Sequence, residues 1–151
     1  MAAENTVTTL PKVAGVELNS EIELMIDVGG TYENMGNAFK DISTAINENV
    51  YTATYLADGG FGSSMVVGAA PTITLNGDYI KTDPVCVYLA QIHYEIGAKR
   101  VTSIRLKHAG IEITCPATIT QLDFTGGTST APNGISVTIA LNGKPTVTQT
   151  A

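Results

Sequence analysis

The chain has 151 residues and a formal net charge of −6, with 44% hydrophobic and only 15% charged residues. This length fits one domain that buries roughly 70% of its unfolded surface, so folding needs neither a metal nor a disulfide. The acidic balance excludes electrostatic capture of nucleic acid or of an anionic membrane.

An ordinary soluble domain carries about 25% charged residues. The shortfall has two explanations: surface that faces protein, since interface cores are depleted of charge, or a Thr-rich β-domain that is simply neutral. Residues 1–78 hold ten acids and two bases, residues 79–151 four acids and six bases. A head-to-tail assembly brings such unlike surfaces together, although halves of a sequence need not be halves in space. Cys86 and Cys115 sit in apolar runs and read as small buried hydrophobes. The N-terminus lacks a signal peptide's basic flank and apolar stretch, and no window approaches the ~20 apolar residues of a membrane span. A chain made and kept in the cytosol until something else moves it is expected.

Residues 1–12 are polar, end in Leu10-Pro11-Lys12, and read as a flexible arm before one β-domain over 13–151. From Glu21 to Asp27, Ile22, Leu24 and Ile26 alternate with Glu21, Glu23, Met25 and Asp27, a strand with one apolar and one acidic face. Gly29-Gly30 breaks it. Over residues 31–50 the spacing of Met35, Ala38, Phe39, Ile42, Ala45 and Ile46 is helical, against the poor helix formers Gly36, Asn37, Thr44 and Asn47. Val50–Leu56 is rich in strand formers. A Gly59–Gly62 loop and a short run through Met65–Val67 follow, then a strand over Thr72–Leu75 that ends in the tight-turn dipeptide Asn76-Gly77.

The clearest helix runs from Pro84 to Ile96, with Asp83 as N-cap, Pro84 at the first position and Gly97 at the stop. Val85, Leu89, Ile92 and Ile96 line the face it would lay on a sheet as scaffold. Strands are predicted over Val101–His108 and Ile111–Ile119. Leu122 and Phe124 fall out of phase with the second, so a bulge is expected near Thr120. A polar loop bounded by Gly126-Gly127 and Pro132-Asn133-Gly134 leads to the last strand, Ile135–Leu141, before Asn142-Gly143. Residues 72–78 and 138–144 agree at five of seven positions, an echo that shared strand chemistry explains.

No motif carries catalysis. Met65 stands where a dinucleotide fingerprint at Gly60 and Gly62 needs its third Gly, and no Walker Lys follows. Gly62-Ser63-Ser64 is no nucleophile elbow. His93 and His108 lack zinc-site spacing with the cysteines and read as structural. The acidic strand face is either a solvated face or a cation or acid–base site, the first being the usual case. With no Trp and no basic aromatic stripe, a nucleic-acid-reading groove is not expected. Neither catalytic nor metal nor cofactor residues are therefore assigned.

One resemblance spans roughly residues 38–145. Asn47-Glu48, the stretch Tyr51–Tyr55, Gly59-Gly60, Val66-Val67-Gly68, Asn76-Gly77, Asp83-Pro84, Gly126-Gly127 and Asn142-Gly143-Lys144-Pro145, in that order, resemble the major tail tube proteins of long-tailed, non-contractile bacteriophages (the siphophage tail tube family). The order and spacing carry the likeness; no single element is specific. The N-terminal third matches loosely, and Tyr79-Ile80-Lys81 stands where the pattern has an arginine. The resemblance implies a mainly β fold, a β-sandwich or partial barrel with one flanking helix, and an extended or mixed conformation for residues 38–47. It implies a structural virion protein, not an enzyme: hexameric rings stack into a tube, assembled in the host cytoplasm, that DNA crosses without specific binding. Partners would be further copies of the chain and the tape-measure, tail-terminator and distal tail proteins, with no membrane. A wall that repels phosphate suits such a lumen, and the acidic candidates for it are Glu21, Glu23, Asp27 and Glu48. Two other readings stay open: the tube of a phage-derived bacteriocin or injection machine, and a β-sandwich binding or adhesion module. The module would want exposed aromatics, and only nine residues are Phe or Tyr.

Overall fold

The structure is a computed structural model that describes residues 15–149; the arm expected over residues 1–12 lies outside them. Ten strands and one helix follow in chain order: β1 (Glu23–Val28), β2 (Thr31–Asn34), β3 (Phe39–Ala45), β4 (Asn49–Thr54), β5 (Gly62–Gly68), β6 (Thr72–Asp78), α1 (Pro84–Ile92), β7 (Val101–His108), β8 (Ile111–Phe124), β9 (Gly134–Leu141) and β10 (Thr146–Gln149). Eight strands form one antiparallel sheet in the order β2-β1-β7-β8-β9-β6-β3, with β10 beside the first part of β8. β4 and β5 pair only with each other.

The alternation read from the sequence builds the core. Leu24 and Ile26 of β1 stand opposite Leu106 and Ile104 of β7, which stand opposite Ile113 and Cys115 of β8. Farther along β8, Ile119 and Leu122 oppose Ile139 and Val137 of β9, and these oppose Ile73 and Leu75 of β6. Every apolar row lies on one face, so the sheet curls around it into a partial barrel. The register shifts between Ile119 and Gln121, the bulge expected near Thr120, and this turns Leu122 inward. Residues 31–50 are mostly extended, interrupted by a 3₁₀ turn at Met35–Asn37 and by a break at residues 46–48, where Asn47 has a φ of 55°. Helical spacing there reflects a bent strand, β2 into β3, that buries Met35, Ala38 and Phe39.

Helix α1 closes one end of the barrel with buried Val85, Cys86, Leu89 and Ile92. Beside it, the Tyr79 and His93 rings meet Phe124 edge-on at 5.6 and 4.8 Å. The helix is four residues shorter than its apolar spacing predicts. Ile96 lies beyond its end and is 87% exposed, so it belongs to no scaffold face. Arg100 explains the early stop: its guanidinium donates to the carbonyls of His93 (2.8 Å), Glu95 (3.0 Å) and Ile119 (3.2 Å). The carbonyls beyond Ile92 are thereby satisfied by a side chain and not by another helical turn. Asp83 occupies the N-cap position without a side-chain capping bond, and its Oδ2 is buried without a partner. Burial pushes the Cys86 thiol above its ordinary value, with Asp83 adding to the effect, and burial likewise raises Cys115. Both are free thiols.

Asn76-Gly77 is not a turn. Gly77 lies inside β6, paired with Phe39 on one side and Ile135 on the other. A Cβ there would run into the Ala38 carbonyl and the Phe39 backbone, so glycine permits the close approach of two chains. Replacing Gly77 by Ala should cost about 3 kcal/mol, since the Ala38–Phe39 backbone cannot retreat as a side chain would. Urea denaturation of the G77A variant measures this; an unchanged midpoint would contradict the packing described.

Candidate assembly surfaces

The hairpin β4–β5 is the outer half of a long two-stranded ribbon. Its inner half, β3–β6, belongs to the barrel. At the junction the Ala70 amide donates to the Ile46 carbonyl (3.0 Å), and the Asn47 side-chain amide donates to the Ala70 carbonyl (2.9 Å) and Thr72 Oγ1 (3.3 Å). Asn47 takes a left-handed φ of 55°, tolerable for Asn, at the bend between the two halves of the ribbon. Beyond the bend nothing among the described residues covers it. Val50 and Val66 face each other on one side and Tyr51 and Met65 on the other, all exposed. At the tip, Leu56 (104%) and Phe61 (80%) stand in solvent. A lone two-stranded hairpin is marginally stable in water, and apolar side chains on both of its faces give it no solvent side.

Among the described residues nothing caps the barrel end opposite α1. It opens into an apolar cavity of about 360 Å³ lined by Ile46, Leu106, Ile111, Ile113, Leu141 and Val147, with His108 and the hairpin root at Ala69 on its margin. Along the side, β2 and β3 end the sheet order. Between residues 19–24 and β3 the walls part, leaving a cleft of about 310 Å³ whose lining includes Ile22, Leu24, Lys40 and Ile42. Among the described residues β3 pairs with β6 alone, so its other edge carries unpaired backbone groups.

The outward side of β3, β6, β9 and the far part of β8 is polar in three aligned rows. They read Asp41-Asn76-Ser136-Asp123, Ser43-Thr74-Thr138-Gln121 and Ala45-Thr72-Ala140-Thr118. Two acids and no base occur in these rows. Lys40, on the neighbouring position of β3, is tied to Asp78 at 3.3 Å.

The four acidic candidates lie on three segments of the chain. Glu21 lies in a 3₁₀ turn, Asn19–Glu21, where its Oε2 accepts from the Leu18 amide at 2.6 Å; the strand begins two residues later than its alternation predicts. Glu23 and Asp27 share the outward face of β1, but Lys107 stands opposite Glu23 and Arg105 opposite Met25. Lys107 also meets Glu112 (3.6 Å), and Arg105 lies over the Tyr32 ring (4.5 Å). Asp27 accepts from the Gly30 amide at 2.8 Å. Glu48 is exposed at the hairpin root. Sequence reading did not single out Asp41 or Asp123: Asp41 is the one acid of β3, Asp123 stands eleven residues from Glu112 in β8, and only the register aligns the two. Among the described residues no cluster of His, Cys, Asp or Glu is placed to hold a metal, and no helix is long and apolar enough to cross a membrane.

No family model and no curated protein matches the chain, but solved structures do. A chain in the tail of an empty gene transfer agent particle, with C6 symmetry, is 16% identical with a TM-score of 0.71, over 90% of this chain and 100% of its own. A chain in the virion of a native gene transfer agent particle is 15% identical, with a TM-score of 0.70 over 88% and 99%. A chain of the sheath–tube complex of PVC, an extracellular contractile injection system, in the extended state is 10% identical, with a TM-score of 0.55 over 99% of each. The shared property is the fold. The partial barrel with one helix is the tail-tube-like fold that the sequence resemblance implied.

Because the hairpin side chains touch so little, replacing Tyr51 or Met65 by Ser should change the stability of the isolated chain by no more than about 0.5 kcal/mol. Thermal unfolding in dilute solution checks this; a loss of several degrees would show that the hairpin is packed within its own subunit.

Proposed function

We propose that this protein is a structural subunit of a tail tube: six copies close into a ring, and rings stack into a hollow tube that DNA crosses without being bound. The observation that carries the reading is the uncovered hairpin, an element with apolar side chains on both faces that one chain cannot bury. The free edge of β3, the side cleft, the low charge and a fold shared with a chain of a C6-symmetric tail all support it. Strand edges that are a hazard in a monomer are completed by identical neighbours. The chain is thus a non-enzymatic virion component, assembled in the host cytoplasm, with tape-measure, terminator and distal tail proteins as further partners. The fold is also shared with a chain of the PVC sheath–tube complex, so the tube of an injection machine is the second variant of this reading.

A ring of six copies carries about −36 charges, screened beyond about 8 Å at physiological salt. Glu21, Glu23, Asp27 and Glu48 are proposed for the lumen on sequence grounds. The polar rows ending in Asp41 and Asp123 are the rival wall, and the geometry favours them: they expose acid, hydroxyl and amide groups without an unpaired base, so phosphate gains no counterion release by binding. A map of the assembled tube decides between the two faces.

Negative-stain microscopy of the concentrated protein tests the function itself. Rings or tubes about six subunits around are expected. A dispersed monomer under all conditions, above all one that binds a glycan, would replace the tube reading with a binding module.

A further inference from the structure

The same chain carries an apolar knob and an apolar socket, and the two cannot meet within one molecule. The socket is the uncapped barrel end, with Leu106, Ile111, Ile113, Leu141 and Val147 around about 360 Å³. The knob is the hairpin tip, where Leu56 opens a tight 3₁₀ turn, Leu56–Asp58, closed by Gly59 in the left-handed region, and Phe61 follows it. The hairpin springs from the socket's own margin at Ile46 and Ala69. Its strands of six and seven residues carry the tip roughly 20 Å away at about 3.3 Å per residue. Folding the tip back would break the β4–β5 ladder. Reaching a second copy breaks nothing.

Size and charge agree with that occupant. A cavity of about 150 Å³ accommodates a benzene ring, so a space of about 360 Å³ takes the Phe61 ring together with the Leu56 side chain. The tip carries Asp58, and the socket's margin carries His108 and, next to Pro145, Lys144. Two margin acids are already engaged: the Glu17 carboxylate accepts from the Ala109 amide (2.9 and 3.1 Å), and Glu112 is paired with Lys107.

We propose that the open barrel end is a socket for the β4–β5 tip of a second copy of this chain, with Phe61 and Leu56 inserted and Asp58 set against His108 and Lys144. The contact is heterologous, each subunit giving one knob and receiving another, so it propagates into a closed ring or a continuing filament. It deepens the self-assembly reading and rests on it.

The test pairs Phe61→Cys with Val147→Cys in the full chain, oxidised mildly at assembling concentration and resolved without reductant. A reducible ladder of dimers, trimers and larger species is expected from the double variant, and monomer from each single variant. Tubes or rings in the microscope without a ladder overturn the socket and leave self-assembly standing. Dispersed wild-type monomers overturn both. A cross-link of Val147→Cys to Val7→Cys within one chain, in place of the ladder, gives the socket to the N-terminal segment and also overturns the proposal. Phe61→Asp guards against a double variant that fails to assemble for other reasons. It should keep the wild-type melting temperature and raise the critical concentration for assembly at least about tenfold, the equivalent of about 1.4 kcal/mol; assembly at the wild-type concentration sinks the socket.

Discussion

A two-stranded ribbon has no interior, and water on both faces offers its apolar side chains nothing to pack against. That constraint governs this protein. In the barrel half of the β3–β6 ribbon, Ile73 and Leu75 face a core while Ser43 and Thr74 face solvent, so each side has a suitable medium. Past Asn47 the sheet ends, yet the sequence stays apolar on both sides, through Val50, Tyr51, Met65, Val66 and Val67. A sequence that alternates where it is half-buried and stops alternating where it stands free is matched to cover from outside the chain.

The barrel supplies a rigid base for this ribbon. Its core rows run unbroken from β1 to β6, and α1 with Tyr79, His93 and Phe124 plugs one end. The other end, at the ribbon's root, is apolar and open among the described residues. Closure at one end and exposure at the other give the subunit unlike ends, as the proposed head-to-tail contact requires. The charge difference between the two halves of the sequence follows another logic. Acidic β1 and basic β7 are neighbours in one sheet, so the halves of the sequence are not halves in space.

Much of the barrel was legible because period-two alternation reports one buried face directly. β7 occupies the span expected from its alternation, β9 begins one residue early, and the slip in phase marked the bulge in β8. What was misread depended on contacts distant in sequence. Asn-Gly occurs twice in the same local setting: Asn142-Gly143 leaves its strand, with Gly143 at φ 85°, whereas Gly77 stays in β6 because Phe39 lies against it. The helix overrun at Ile96 came from a matching apolar spacing that Arg100 interrupts from outside the pattern. β10 was overlooked, since Thr146–Gln149 holds a single apolar residue and is held by pairing with β8. The acidic face of β1 was real as a pattern, but pattern says nothing of which strand lies alongside. Exposure of the hairpin was equally invisible: Val-Tyr-Thr-Ala-Thr reads as a strand whether it is covered or bare.

The central claim is that the β4–β5 ribbon acquires its interior from other copies of the chain. Amide hydrogen exchange, followed residue by residue in dilute subunit and in assembled material, measures this most directly. The account predicts fast exchange across residues 49–68 in the free subunit, beside slow exchange in β7, β8 and β9, and a gain of protection in the ribbon on assembly. Ribbon amides already as slow as the barrel in the lone subunit, or unchanged after assembly, would contradict it.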